Sequence, residues 1–232
     1  MTQKSSLQFP IIMSSAPTDD VRIVPMISEM VPKAARLHIE TLAGSRTACM
    51  GNAYVEAFIE WFRQPDRGGI ALVAIDRHRH VVGYVIGAPL GYARDLSRHL
   101  AWTAARAVIG RPWLFFKLQF RKGFLDRLQL LLGRSLPQAS QPELPAPTLS
   151  LVAIGVSPHA QRKHIGLRLV QGFESKVREL QMRSLRLSTN SENVAACRLY
   201  ERCGWRPFPV SGGLTYYFRI LDEYSGANDK RP

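Results

Sequence analysis

The last third of the chain alternates strand-like and helix-like periodicity in a fixed order, and that order limits what the chain can fold into. Leu149–Val156 is a β-rich run bounded by Pro158. Leu169, Phe173, Val177 and Leu180 then recur at helical spacing after Gly166. Leu185–Thr189 reads as a strand, Asn193–Cys203 as a helix and Leu214–Ile220 as a final strand. Asn190 or Ser191 is placed to cap the second helix, and Gly204 to end it. Strands separated by helices in this way predict an α/β fold.

The upstream chain extends the pattern. Val21–Met26 is a short strand candidate, and Pro32 suits the first turn of a helix on which Ala35, Ile39 and Leu42 follow. Val55, Phe58, Ile59 and Phe62 mark a second helix, while Ile70–Ile75 and Val81–Ile86 flank the polar Asp76–His80 as a hairpin. Residues 91–147 interrupt the rhythm. They open with a helix-like stretch over Asp95–Ile109 and end in the Pro-rich Pro137–Pro147. The order β-α-α-β-β-insertion-β-α-β-α-β predicts a mixed sheet flanked by helices, with the insertion between the third and fourth strands. Residues 1–20 read as a loose tail, 21–222 as one domain and 223–232 as a C-terminal tail.

Charge is concentrated in the insertion. The chain of 232 residues has 31 Lys plus Arg against 18 Asp plus Glu, a formal net charge of +13. Between residues 91 and 134, Arg94, Arg98, Arg106, Arg111, Lys117, Arg121, Lys122, Arg127 and Arg134 oppose only Asp95 and Asp126. Such a balance favours an anionic partner and disfavours polycationic substrates. With 46% apolar and 21% charged residues the composition is globular, which excludes a wholly disordered or collagen-like chain. No run approaches the ~18 apolar residues of a spanning helix, and the start lacks the pattern of a secretory signal. Cys49, Cys197 and Cys203 have no metal-type spacing, and the last two lie in one helix out of disulfide reach. A reduced, cytoplasmic protein without a metal is expected.

The candidate chemistry sits where the first strand of the last third meets its helix. Val156-Ser157-Pro158-His159-Ala160-Gln161-Arg162-Lys163-His164-Ile165-Gly166 ends a strand, makes a basic turn and starts a helix. Helix starts present unpaired N–H groups and the positive end of the dipole, so such a turn suits a diphosphate; Arg162, Lys163 and Arg168 would add charge. A plain βα turn with solvated basic residues reads equally well from the turn alone. Downstream stands Asn193-x-x-Ala196-x-x-Leu199-Tyr200-x-x-x-Gly204-Trp205. Together the two motifs resemble the GNAT superfamily of N-acetyltransferases. Val156, Pro158, Gln161, Gly166, Asn193, Ala196, Leu199, Tyr200 and Gly204 fall in the family's positions over roughly 148–220, with Trp205 in place of Phe. One residue departs: the first glycine of the family's phosphate turn is His164 here. A negative φ there tolerates histidine, whereas a positive φ costs about 1 kcal/mol and reshapes the loop.

The resemblance implies a GNAT-type twisted sheet and acetyl-CoA as cosubstrate. Main-chain groups of Ile154 and Val156 would pair with its pantetheine arm, between strands that splay apart. Gln161, Arg162, Lys163, His164, Ile165, Gly166 and Leu167 would cradle its pyrophosphate, and Asn193 would contact the arm. Tyr200 would lie near the sulfur as general acid, a role that competes with that of a packed core tyrosine. An amide donor near Ile154 would face the oxyanion. No carboxylate lies on Leu149–Val156 to serve as base. Glu40, with Glu56 and Glu60 behind it, is a candidate base, as is water; His38 reads as a surface histidine. Cys197 and Cys203 receive no role.

The expected function is therefore acetyl transfer to a primary amine of a small acceptor by direct attack, with no covalent enzyme intermediate. The alternative is a non-catalytic module of the same fold that binds CoA or a partner through its basic insertion. Three readings of the insertion stay open: a lid over an anionic acceptor, peripheral membrane contact through 91–134, or packing and homodimer surface. The first suggests a nucleotide- or lipid-phosphate-linked amine. No specific nucleic-acid motif is present.

Overall fold

The computed structural model describes residues 21–109, 143–210 and 213–221. The two terminal tails and residues 110–142 of the insertion, with Arg111, Lys117, Arg121, Lys122, Arg127 and Arg134, lie outside the described residues.

The chain runs β1 (Arg22–Pro25), α1 (Val31–Thr41), α2 (Arg46–Cys49), α3 (Asn52–Arg63), β2 (Ile70–Ile75), β3 (Val81–Pro89), α4 (Tyr92–Ile109), β4 (Thr148–Val156), α5 (Ile165–Glu179), β5 (Ser184–Asn190), α6 (Val194–Arg202), β6 (Arg206–Val210) and β7 (Leu214–Ile220). The strands form one sheet in the order β1-β2-β3-β4-β5-β7-β6. Only β4 and β5 are parallel. The mixed α/β sheet is therefore as expected.

Local chemistry explains the joints. Asp76 Oδ1 accepts the N–H groups of His78 and His80, both at 2.8 Å, and so closes the β2–β3 hairpin. Pro32 stands in the first turn of α1. α6 is capped by Asn193, whose Oδ1 accepts the Ala196 N–H at 3.1 Å. This corrects the expectation that Asn190 or Ser191 caps it: Asn190 Oδ1 accepts Glu192 N–H in the preceding turn instead. Gly204, at φ 77°, ends α6 as expected. Gly204 N–H bonds Glu201 O and Trp205 N–H bonds Tyr200 O, a Schellman closure that turns Trp205 into the core.

Two apolar layers cover the sheet. One packs Leu169, Val170, Phe173 and Val177 of α5 against Leu72, Val85, Leu149 and Leu185. The other packs Ala34, Ala35, Phe58, Ile59 and Phe62 of α1 and α3 against Val73, Tyr84 and Ile86. Each large side chain buried in these layers is worth roughly 1.5–3 kcal/mol relative to exposure. The same periodicities that mark α1, α3 and α5 in the sequence are thus the contacts that hold them to the sheet.

Candidate active site

β4 and β5 pair only from Thr148–Ser150 to Ser184–Arg186. Beyond that point β5 continues along β7 and β4 along β3, so a wedge opens between them. A bulge helps open it. Ile86 pairs with Ala153 but Gly87 with Leu151, which leaves Val152 as an extra residue on β4. Such an insertion bends the strand that carries it.

The ladder decides which main-chain groups line the wedge. Ser157 N–H bonds Val82 O at 2.9 Å. Because bonded and non-bonded pairs alternate along an antiparallel ladder, Gly155 and Ala153 bond to β3. Ile154 and Val156 then turn their N–H and C=O groups toward the gap. Consistently, the Val156 carbonyl accepts Gln161 Nε2 from outside the ladder, at 3.2 Å. Gly155 faces the opposite layer, where an added Cβ would lie 2.5 Å from Thr41 Oγ1 and 2.6 Å from the Tyr84 ring. Only glycine allows that approach.

At the mouth of the wedge, α5 begins. Its first intrahelical bond is Arg168 N–H to His164 O at 3.0 Å, so the amides of Ile165, Gly166 and Leu167 precede the helical ladder. His164 is the N-cap at φ 58° and ψ 11°, and Arg162 has φ 62°. The positive-φ case for His164 is thus the one realised. Histidine is among the few non-glycine residues enriched in the left-handed region, which keeps the strain near 1 kcal/mol. Gln161, Arg162, Lys163 and His164 are all exposed. Arg168 points elsewhere and donates to the Val21 carbonyl, tying α5 to the start of β1. Gly166 lets α6 come close: a Cβ there would lie 3.3 Å from Leu199 Cδ2.

Tyr200 is buried in the apolar layer it shares with α5, with ring centroids 5.5 Å from Tyr217 and 5.9 Å from Trp205. Burial pushes its pKa above the ordinary tyrosine value, with the neighbouring Cys203 and Cys197 adding to the effect. The hydroxyl therefore stays protonated and is a donor, never a base, at neutral pH. Burial likewise pushes the Cys203 thiol up to about 11. Cys49, Cys197 and Cys203 are thiols rather than disulfides.

The carboxylate candidates are dispersed. Glu40 is exposed on α1, about 200° around the helix from His38. Glu60 holds Arg63, and Glu56 accepts from Asn52. His38 corrects an expectation: it is buried, 1% exposed, not a surface residue. Its Nε2 lies 2.7 Å from Thr47 Oγ1 and its Nδ1 2.7 Å from the Tyr84 hydroxyl. Burial lowers its pKa to about 4. Its place was legible in principle, since it falls on the stripe of Val31, Ala34 and Ala35. A second buried group escaped notice as well. Glu174 of α5 accepts Trp205 Nε1 at 2.7 Å and Arg219 Nη1 at 2.9 Å.

The site thus combines a mixed sheet that splays between β4 and β5 with the start of a helix at Ile165. Residues 130–205 match the model of the acetyltransferase (GNAT) family. Solved structures share the fold. The chain is similar to yncA of Salmonella typhimurium, solved with its cofactor acetyl-CoA, at 16% identity and TM-score 0.53, covering 90% of this chain and 98% of that one. It is similar to the ribosomal-protein-alanine N-acetyltransferase of Brucella melitensis at 16% identity and TM-score 0.53, over 86% and 99%. A GNAT phosphinothricin acetyltransferase from Sinorhizobium meliloti, in complex with AcCoA, aligns at 12% identity and TM-score 0.54 over 87% and 88%. No curated protein sequence matches the chain.

Proposed function

We propose that the chain is an acetyl-CoA-dependent N-acetyltransferase acting on a primary amine of a small acceptor by direct attack in a ternary complex. The observation that carries this reading is the wedge into which Ile154 and Val156 turn their main-chain groups, ending at the free amides of α5. An extended pantetheine arm would take the place of the missing strand beside β4. The amides of Ile165, Gly166 and Leu167, with the backbone and charges of Gln161, Arg162, Lys163 and His164, would hold the pyrophosphate. Asn193 uses its Oδ1 to cap α6, which leaves its amide NH₂ for the arm.

The reaction makes modest demands. The amine nitrogen forms a bond to the thioester carbon, the C–S bond breaks, and the proton lost by nitrogen ends on the departing thiolate. Ile154 N–H, facing the gap, would donate to the oxyanion. Tyr200 would donate a hydrogen bond to the sulfur as its charge develops. Its raised pKa makes full proton transfer to a thiolate uphill, so its role is stabilisation of the leaving group. With Glu40 turned to solvent, the amine proton leaves through water. The net charge of +13 and the basic start of the insertion favour an anionic acceptor, such as a nucleotide- or lipid-phosphate-linked amine.

Calorimetric titration of acetyl-CoA and CoA at low and high salt tests the reading. Micromolar binding that weakens with salt is expected; no binding of either would sink it. Tyr200→Phe should keep CoA affinity and lower turnover at least about ten-fold. Unchanged turnover removes the tyrosine's role. A second reading, a non-catalytic CoA-binding module, is favoured by the carboxylates: Glu40 is exposed, Glu60 holds Arg63 and Glu56 accepts from Asn52. Tight CoA binding with no transfer to any amine in an anionic acceptor panel would select it.

A further inference from the structure

The outer face of α4 plays no part in acetyl transfer, yet its composition is specific. α4 packs on α3 through buried Leu96 and Leu100, with Tyr92 against Trp61 and Phe62. On the opposite side Trp102 is 74% and Ile109 80% exposed. Arg98 lies one turn before Trp102 and Arg106 one turn after, with Arg94 a further turn ahead, all exposed. Asp95 is the helix's lone carboxylate. The contacts of α4 with the fold run through Leu96, Leu100 and Tyr92, so packing among the described residues does not account for a tryptophan and an isoleucine in water beside three arginines.

We propose that this face of α4 docks on an anionic membrane surface, with the helix lying in the plane of the headgroups. The arginines match lipid phosphates, their aliphatic stems running along apolar surface while the guanidinium groups stay wet. Trp102 suits the headgroup level because its ring is apolar and its N–H polar. Ile109 and Ala105 enter the acyl boundary. The sequence that follows carries the same bias: residues 110–134 include six basic residues and one acidic one, Asp126. Nucleic acid would engage the arginines but leave Ile109 in water, so lipid is the better fit. The contact is peripheral, since no helix among the described residues is long and apolar enough to cross a membrane.

The test is co-sedimentation of the full chain with vesicles of phosphatidylcholine alone or with about 30% phosphatidylglycerol. It needs no turnover, so its outcome is independent of the acetyl-transfer reading. Binding to the anionic vesicles only, weakened by salt, is expected. Arg94→Gln with Arg98→Gln should weaken it roughly ten-fold or more, and Trp102→Ser should do likewise with unchanged thermal unfolding. A Trp113→Phe background then isolates the contact, because Trp61 and Trp205 are buried. There, brominated lipid should quench Trp102. Binding without that quenching overturns the proposal. So does a Trp102 already shielded from aqueous quencher without lipid, which would mean the chain covers its own face. Binding to single-stranded RNA but not to vesicles overturns it too.

Discussion

Glu174→Ala is expected to destabilise the fold by on the order of 3 kcal/mol, because it strips the buried Trp205 N–H and the half-buried Arg219 guanidinium of their shared acceptor. Glu174 is 4% exposed and Trp205 2% exposed. Arg219 Nη1 reaches both Glu174 oxygens at 2.9 Å and also donates to the Cys203 carbonyl. The cluster therefore ties α5 to the end of α6 and to β7, three elements that also share one apolar layer. Without the carboxylate, the Trp205 N–H is orphaned and the guanidinium keeps only one carbonyl. For a chain of this size the loss corresponds to a melting temperature lower by about 6–12 °C. The surface pair Lys176–Glu179 provides the contrast, at 44% and 56% side-chain exposure. Glu179→Ala should change stability by less than about 0.5 kcal/mol. Replacing Glu174 and Arg219 together by methionine should recover much of the loss, since a buried pair removed whole leaves no unpaired charge. Thermal and urea unfolding of the three variants against the wild type decide the matter. A Glu174→Ala cost below about 1 kcal/mol would show that water or Cys203 satisfies Arg219.

That cluster also marks the limit of sequence reasoning. Ile70–Ile75 and Leu214–Ile220 are found at their expected bounds because β-branched and aromatic runs ended by turn residues carry the signal locally. Asn193–Cys203 is a helix for similar reasons, capped at both ends by its own side chains and glycine. β6 was missed because Pro207 and Pro209 argue against a strand. The sheet accepts them because β6 lies at its edge and pairs only with β7. Residues two apart face the same way, so both prolines' missing N–H groups can lie on the open side. α2 is a single turn, too short for periodicity to register. The site divides similarly. The helix start at Ile165 and the place of Tyr200 follow from motif spacing. The wedge does not, because it depends on where β4 leaves β5 and on a bulge at Val152. Glu174 and Arg219 are 45 residues apart, and no local pattern pairs them.

Acidification should attack the other face of the sheet through His38. The neutral imidazole fits its place, with a hydroxyl 2.7 Å from each ring nitrogen that can donate or accept as the tautomer requires. An imidazolium would need both hydroxyls to accept, and its other close neighbour is the Phe58 ring at 5.8 Å. Burial alone accounts for the fall in its pKa from 6.5 to about 4, with no charged partner contributing. The sign follows: the unfolded chain binds a proton at His38 below pH about 6.5, whereas the native one resists until about 4. Stability from this residue is therefore full above the upper value and lost as pH falls toward the lower. The span of 2.5 units (6.5 − 4) amounts to about 3 kcal/mol, of which about 2 kcal/mol is gone by pH ~5. Other groups titrate there too, so the measurement is a difference. The wild type's urea stability advantage over His38→Gln should shrink by about 2 kcal/mol between pH ~7.5 and ~5. An advantage independent of pH would show that His38 takes up its proton without leaving the network. The consequence reaches the site, because Tyr84 bonds this histidine and pairs with Gly155 of β4. Charging His38 in the folded protein thus loosens the ring against which the wedge-lining strand is held, so acetyl-CoA affinity should hold to pH ~5 and fall only as pH approaches about 4.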